Sequence, residues 1–158
     1  MLSPDLRAGG LAVYDGEAAR WSADMGGVGG GAVRAMAWWR NSLVLGGSFT
    51  RVGGGEHKEG LQVTGLAQWE DGVWKAMGRV DGGVWALASS DDSLYLAGSF
   101  SFLDGNLSPL VGVFRNGRLE PLTASGAAPI SGRCVSHLLF CLLSQSRDLE
   151  RHRRMDLR

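Results

Sequence analysis

Apolar and polar positions alternate along Ser93–Phe100, with Leu94, Leu96, Gly98 and Phe100 on one side and Ser93, Tyr95, Ala97 and Ser99 on the other. A period of two marks a β-strand, because successive strand side chains point to opposite faces. Shorter runs of strand-forming residues lie at Leu66–Glu70, Val73–Met77 and Val84–Ala88. Asp71-Gly72 separates the first two as a hairpin turn, since only residues tolerant of positive φ fit a two-residue connection. Gly78–Gly83 reads as a loop and Asp91-Asp92 as a second turn. The pattern predicts a unit of four short strands. No stretch between residues 10 and 122 combines a helical period with caps, so the expected class is all-β.

The unit recurs. Val33–Gly54 lies over Val84–Gly105 without a gap at an offset of 51 residues, and ten of the 22 aligned positions are identical. The shared core is Ser-Leu-x-Leu-x-Gly-Ser-Phe, at Ser42–Phe49 and Ser93–Phe100. Upstream, Gly10-Leu11-Ala12-Val13-Tyr14-Asp15-Gly16 matches Gly65–Gly72, each followed by a tryptophan, Trp21 or Trp74, with three extra residues before the first. A weaker third copy begins at Leu110 and runs to Gly117, at an offset of 45 because its preceding loop is six residues shorter. These matches divide the chain into units at about 10–60 and 61–108, a partial unit at 109–122, and a tail at 123–158 without the repeat. A period of about 50 residues is the size of one four-stranded propeller blade.

Composition narrows the picture further. Glycine supplies 25 of 158 residues, more than twice the usual share of about 7%, and proline only 4, which fits many tight turns rather than a Pro/Gly tract. Sixteen basic residues balance 16 acidic ones, so no long-range field draws nucleic acid or an anionic membrane. The tail contains an apolar decamer, Cys134–Leu143, about half of what spans a bilayer, and ends in the arginine-rich Arg147–Arg158. Cys134 and Cys141, if helical, would stand on one face about 10 Å apart, beyond disulfide reach. Residues 134–158 are expected to form a short amphipathic helix, to be disordered, or to be non-native sequence from a truncated or mis-spliced gene. The N-terminal decapeptide lacks the apolar core of a signal peptide, and the sequence assigns no compartment.

The motif Leu-x-Leu-(Gly/Ala)-Gly-Ser-Phe, followed by a glycine-rich loop and by Leu-Ala-x-aromatic-acid-Asp-Gly-x-Trp, resembles kelch-type repeats of galactose-oxidase-like β-propellers over roughly residues 10–122. Gly46-Gly47 followed by Trp69 and Trp74 carries the likeness, whereas Ala97-Gly98 followed by Phe114 and Leu119 departs from it. The Gly-Ser-Phe form with Trp69–Trp74 is closest to repeats of the fungal cortical cell-polarity marker family, which are membrane-anchored surface proteins. The resemblance implies a partial propeller: two four-stranded blades and part of a third. Propellers close with about four to eight blades, so the expectation is a fragment of a longer protein, or copies that self-associate through open blade edges.

Candidate chemistry is sparse. Gly26–Gly31 imitates a phosphate loop, but no Lys-Ser/Thr follows and it occupies the place of an inter-strand turn. Asp15, Asp71, Asp91, Asp92 and Asp104 form no Asp-x-Asp-x-Asp ladder and read as turn residues. His57, His137 and His152 lack ligand-spaced partners. Tyr14 and Tyr95 sit in strands, so no copper site carries over from galactose oxidase. Ser48 and Ser99 recur in register, which suits a structural role. No catalytic, cofactor or metal residue is assigned. The expected function is non-catalytic binding of a protein partner, with the loop Gly53–Thr64 and one of Trp38 or Trp39 as candidate contacts. The alternatives are a fragment of a galactose-oxidase-like enzyme, or of a cell-surface structural protein.

Overall fold

The computed structural model describes residues 9–54, 59–108 and 110–122, and all regular structure among them is β. In chain order the strands are β1 (Val13–Asp15), β2 (Arg20–Ser22), β3 (Val28–Gly29), β4 (Val33–Trp39), β5 (Ser42–Gly47), β6 (Arg51–Val52), β7 (Leu61–Gln62) and β8 (Leu66–Glu70). They continue with β9 (Val73–Ala76), β10 (Val84–Ser89), β11 (Leu94–Gly98), β12 (Phe102–Leu103), β13 (Asn106–Leu107), β14 (Val111–Arg115) and β15 (Arg118–Pro121). Two antiparallel four-stranded sheets dominate, β4-β5-β8-β9 and β10-β11-β14-β15. Two-residue strands add the small sheets β3-β6-β7 and β12-β13, and β1 pairs with β2. Among the described residues no helix is long and apolar enough to cross a membrane.

The strands expected from the alternation are present, but their grouping differs from the sequence reading. The expected unit boundaries at 60/61 and 108/109 fall inside sheets. Residues 66–100 are split, because Val73–Ala76 ends the first sheet and Val84–Ser89 begins the second. Of residues 109–122, expected as part of a third unit, Val111–Arg115 and Arg118–Pro121 supply the last two strands of the second sheet, β14 and β15. The long connection from Gly47 to Leu66 joins neighbouring strands of one sheet, and the short Met77–Gly83 segment crosses between sheets.

The 51-residue offset reappears as identical hydrogen-bond register. Val33 pairs with Gly47 and Ala35 with Gly46 across a bulge, and Val84 pairs with Gly98 and Ala86 with Ala97 across the same bulge. The Gly-Ser-Phe motif explains why this position recurs. Ser48 N–H donates to Ala32 O and Ser99 N–H to Gly83 O, both at 2.9 Å. The two hydroxyls accept in return, from Ala32 N–H and Gly83 N–H, both at 3.2 Å. Each serine therefore closes a reciprocal clamp across the strand pair. A Cβ on Gly47 or Gly98 would collide with the carbonyl oxygen of Ala32 or Gly83, so only glycine fits. Phe49 and Phe100 follow and are fully buried.

Hairpin turns obey the same chemistry. Asp71-Gly72, Asp104-Gly105 and Asn116-Gly117 each pair two consecutive positive φ angles, as a two-residue turn of the mirror-image type I class demands. The three extra residues before Trp21 sit in a wider turn, where Asp15 Oδ1 accepts from Glu17 N–H at 2.9 Å and Ala18 N–H at 3.1 Å.

The sheets pack face to face. One core cluster joins Trp39, Val44 and Leu66 of the first sheet to Leu94, Leu96 and Leu119 of the second, with Met77, Val80, Val84, Phe100 and Leu103. Gly46 permits the close approach, since a Cβ there would stand 2.7 Å from Val84 Cγ1. Trp39 Nε1–H donates to Ser90 O at 3.1 Å, and the Arg40 guanidinium reaches Asp92 Oδ1 at 3.2 Å, lacing the turn end. A second cluster holds Met25, Leu45, Phe49, Val52 and Trp74, with Leu11, Val33, Leu43 and Trp69 against it. Its members are repeat counterparts of the first cluster: Leu11 of Leu66, Met25 of Met77, Leu45 of Leu96, Phe49 of Phe100, Val52 of Leu103 and Trp74 of Leu119.

Candidate interaction surface

Strand alternation sorts the connections by end. The tight turns at 40–41, 71–72, 91–92 and 116–117 gather at one end of the two sheets. The long connections 48–65 and 99–110, together with the crossover 77–83, gather at the other. The small sheets stiffen that second end, because each long loop folds back as a pair of two-residue strands (β6-β7 and β12-β13). β6 and β12 each bury one side chain and expose the other, whereas β7 and β13 expose both. Val52 and Leu103 point inward and are fully buried, whereas Leu61, Phe102 and Leu107 are exposed, Leu107 at 65%.

Two depressions occupy repeat-equivalent places on this end. The larger, about 480 Å³, is lined by Thr64, Arg79, Val80, Asp81, Phe102, Asp104 and Gly105. The smaller, about 270 Å³, is lined by Gly9, Gly26, Val28, Gly29, Arg51, Gly53, Gly54 and Gly60. Their linings have diverged on a common backbone: Phe102 stands where Arg51 stood, and Asp104 where Gly53 stood. The larger one is pinned by carboxylates. Asp81 Oδ1 accepts from Ser101 N–H at 2.8 Å and Phe102 N–H at 2.9 Å, and Asp104 Oδ1 accepts from Arg79 N–H at 2.7 Å. The Phe102 and Ser101 amides favour the ionised form of Asp81 and hold its carboxyl below the usual carboxylate range. In the smaller depression the glycine run takes over. A Cβ on Gly26 would sit 2.5 Å from Gly54 O, so backbone lies on backbone. The sequence reads Gly26–Gly31 as an inter-strand turn, but in the structure Val28–Gly29 within it form β3, paired with β6.

The other candidate residues scatter. Of the loop Gly53–Thr64, residues 55–58, with His57, lie outside the described residues, as do Cys134, His137, Cys141 and His152. Asp71, Asp91 and Asp92 lie at the tight-turn end, away from Asp104, and Asp15 in the N-terminal hairpin. Among the described residues no group of three or more His, Cys, Asp or Glu side chains comes together. Trp39 is buried, with the Arg40 guanidinium 4.8 Å from its ring centre, and is structural. Trp38 is 65% exposed on the other face of β4. Trp74 is buried, whereas its counterpart Trp21 is 43% exposed beside Tyr14. The sequence reading included Leu61 within the loop Gly53–Thr64 but named neither Phe102 nor Leu107, because two-residue strands offer no period to detect. The Asp104-Gly105 dipeptide was the available signal for the β12-β13 hairpin.

Comparison with protein-family models, with curated proteins and with solved structures returns no match in any of the three.

Proposed function

We propose that this chain is part of a kelch-like β-propeller and acts as a non-catalytic binding module whose loop-bearing end holds a protein partner. The observation that carries the reading is the pair of repeat-equivalent depressions with divergent linings. Backbone register is repeated to the residue, while the side chains at the loop end are not. A rigid scaffold that varies its loop residues is the usual arrangement of a recognition surface. The chemistry of that end suits protein: exposed Phe102, Leu107 and Leu61 stand among the mixed charges Arg51, Arg79, Asp81 and Asp104. Apolar anchors with a charged rim resemble the anatomy of protein interfaces.

The test is affinity capture from an extract of the source cells with the intact chain and with Phe102→Asp/Leu107→Asp as baits. Both residues are exposed, so the variant keeps the wild-type urea melt. The proposal expects a partner whose recovery falls about tenfold or more with the variant. Recovery that is equal for both baits contradicts it.

A further inference from the structure

The loops 48–65 and 99–110 are tied down by matched backbone bonds. Gly53 N–H donates to Gly27 O and Asp104 N–H to Arg79 O, both at 2.9 Å. Val63 N–H reaches Thr50 O at 3.0 Å, and Ser108 N–H reaches Ser101 O at 2.8 Å. At the loop exits, Gly65 N–H reaches Phe49 O at 2.9 Å and Leu110 N–H reaches Phe100 O at 3.1 Å. Gly47 N–H then donates to Gly65 O, and Gly98 N–H to Leu110 O, both at 2.9 Å. Two differences break this common pattern. The first is the exit residue, with φ 73° at Gly65 and φ 72° at Leu110. Left-handed backbone is open to glycine, but it is disfavoured for any residue with a Cβ and is an outlier for a bulky one. The place suits glycine, since a Cβ on Gly65 would stand 2.6 Å from Gly47 O. Leu110 holds the same conformation, partly buried against Ala88, Ala97 and Val111. The second difference is a pair of carboxylates. Asp81 and Asp104 stand where the first loop has Gly29 and Gly53. They accept from the N–H groups of Ser101, Phe102 and Arg79. Glycine has no side chain for such bonds, and Thr50 N–H goes to Gly29 O instead.

From these two differences we infer that the β12-β13 hairpin is a spring-loaded flap beside the larger depression. Asp81 and Asp104 hold it shut, the left-handed Leu110 opposes them, and it opens as one unit about Leu110. Opening carries Phe102, Asp104 and Gly105 away from Thr64, Arg79 and Asp81, so the depression widens between the two sets of lining residues. A strained residue persists only where its surroundings over-determine it, and such residues cluster where a structure switches. Here the surroundings are the carboxylate bonds and the packing of Leu110 on the second sheet. The loop 48–65, with glycine at the matching exit and glycines in place of both aspartates, has neither spring nor latch. The inference rests on the contrast between two loops of one frame and is independent of what the loop-bearing end binds.

Native-state hydrogen exchange on the intact chain, read amide by amide, tests it. The reporters are the Asp104 and Ser108 amides, which donate to Arg79 O and Ser101 O rather than to Asp81, and their counterparts Gly53 and Val63 in the other loop. Asp81→Ala removes two charge-assisted bonds, so exchange at Asp104 and Ser108 is expected to rise about tenfold while Gly53 and Val63 stay unchanged. Leu110→Gly is expected to slow Asp104 and Ser108 about threefold relative to Leu110→Ala. Both of these variants lack the leucine packing, so the comparison isolates the Cβ in left-handed backbone. An Asp81→Ala effect confined to the Ser101 and Phe102 amides, a rise shared by both loops, or equal exchange in Leu110→Gly and Leu110→Ala would each overturn the inference.

Discussion

Gly98→Ala lowers the free energy of unfolding by about 3 kcal/mol, and Gly47→Ala by a similar amount, although each adds only one methyl group. The backbone at neither residue is left-handed, so the cost is steric. The new Cβ at 98 would meet the Gly83 carbonyl oxygen and lie 3.0 Å from the Gly83 carbonyl carbon and Val84 Cα. All three are backbone atoms, and they cannot swing aside as a flexible side chain can. Moving them breaks the clamp in which Ser99 N–H reaches Gly83 O and Gly83 N–H reaches Ser99 Oγ. Gly16→Ala is the control, with nothing within 4 Å of its Cβ and no positive φ, and it stays within about 0.5 kcal/mol of wild type. Urea unfolding followed by tryptophan fluorescence measures all three. A Gly98→Ala cost no larger than that of Gly16→Ala would refute the close-approach account of the Gly-Ser-Phe motif.

Phe100→Ala costs about 4 kcal/mol, the larger of the two motif-phenylalanine effects. The Phe100 ring is 1% exposed and packs in the cluster that joins both sheets, among Leu66, Met77, Val80 and Leu103. Its carbonyl accepts from Leu110 N–H at 3.1 Å, which fixes the loop above it. Removing the ring leaves a cavity walled by two sheets and a crossover, with little freedom to collapse. Phe49 is equally buried, but among the described residues its cluster has no counterpart of Ala37, Trp39 and Val44 on one side, and it can relax toward that side. Phe49→Ala therefore costs about 1 kcal/mol less, since the penalty depends on how far a site can collapse. Paired urea melts read the difference, and equal costs would mean that the two clusters are equally closed.

Much of the architecture was legible in the alternation. Leu94 and Leu96 do share a buried face, and Asp71-Gly72 does make the two-residue turn. The phase of the repeat was not legible. An offset of 51 residues fixes the period but leaves open where one sheet ends. Short connections suggest neighbours, so Gly78–Gly83 reads as lying within a unit and the loop 48–65 as lying between units. The hydrogen bonds reverse this, because Leu66–Glu70 completes its pairing only beside Leu43–Gly46. The small sheets β3-β6-β7 and β12-β13 were also hidden, since a two-residue strand has no measurable period. For the candidate surface, the sequence pointed to the loop Gly53–Thr64 and to the Trp38-Trp39 pair. It could not choose between the two tryptophans, because adjacent strand residues face opposite ways and the buried face depends on the neighbouring sheet.

The central claim is that the repeat builds two equivalent sheets cut between Ala76 and Val84. Interstrand nuclear Overhauser contacts on the intact labelled chain test it most directly. The account predicts contacts across β5 and β8, linking Leu45 to Ala67, and the repeat-equivalent contacts across β11 and β14, linking Leu96 to Gly112. It also predicts no strand pairing between Val73–Ala76 and Val84–Ser89. Pairing of those two segments in one sheet, with Leu45 and Ala67 apart, would contradict it.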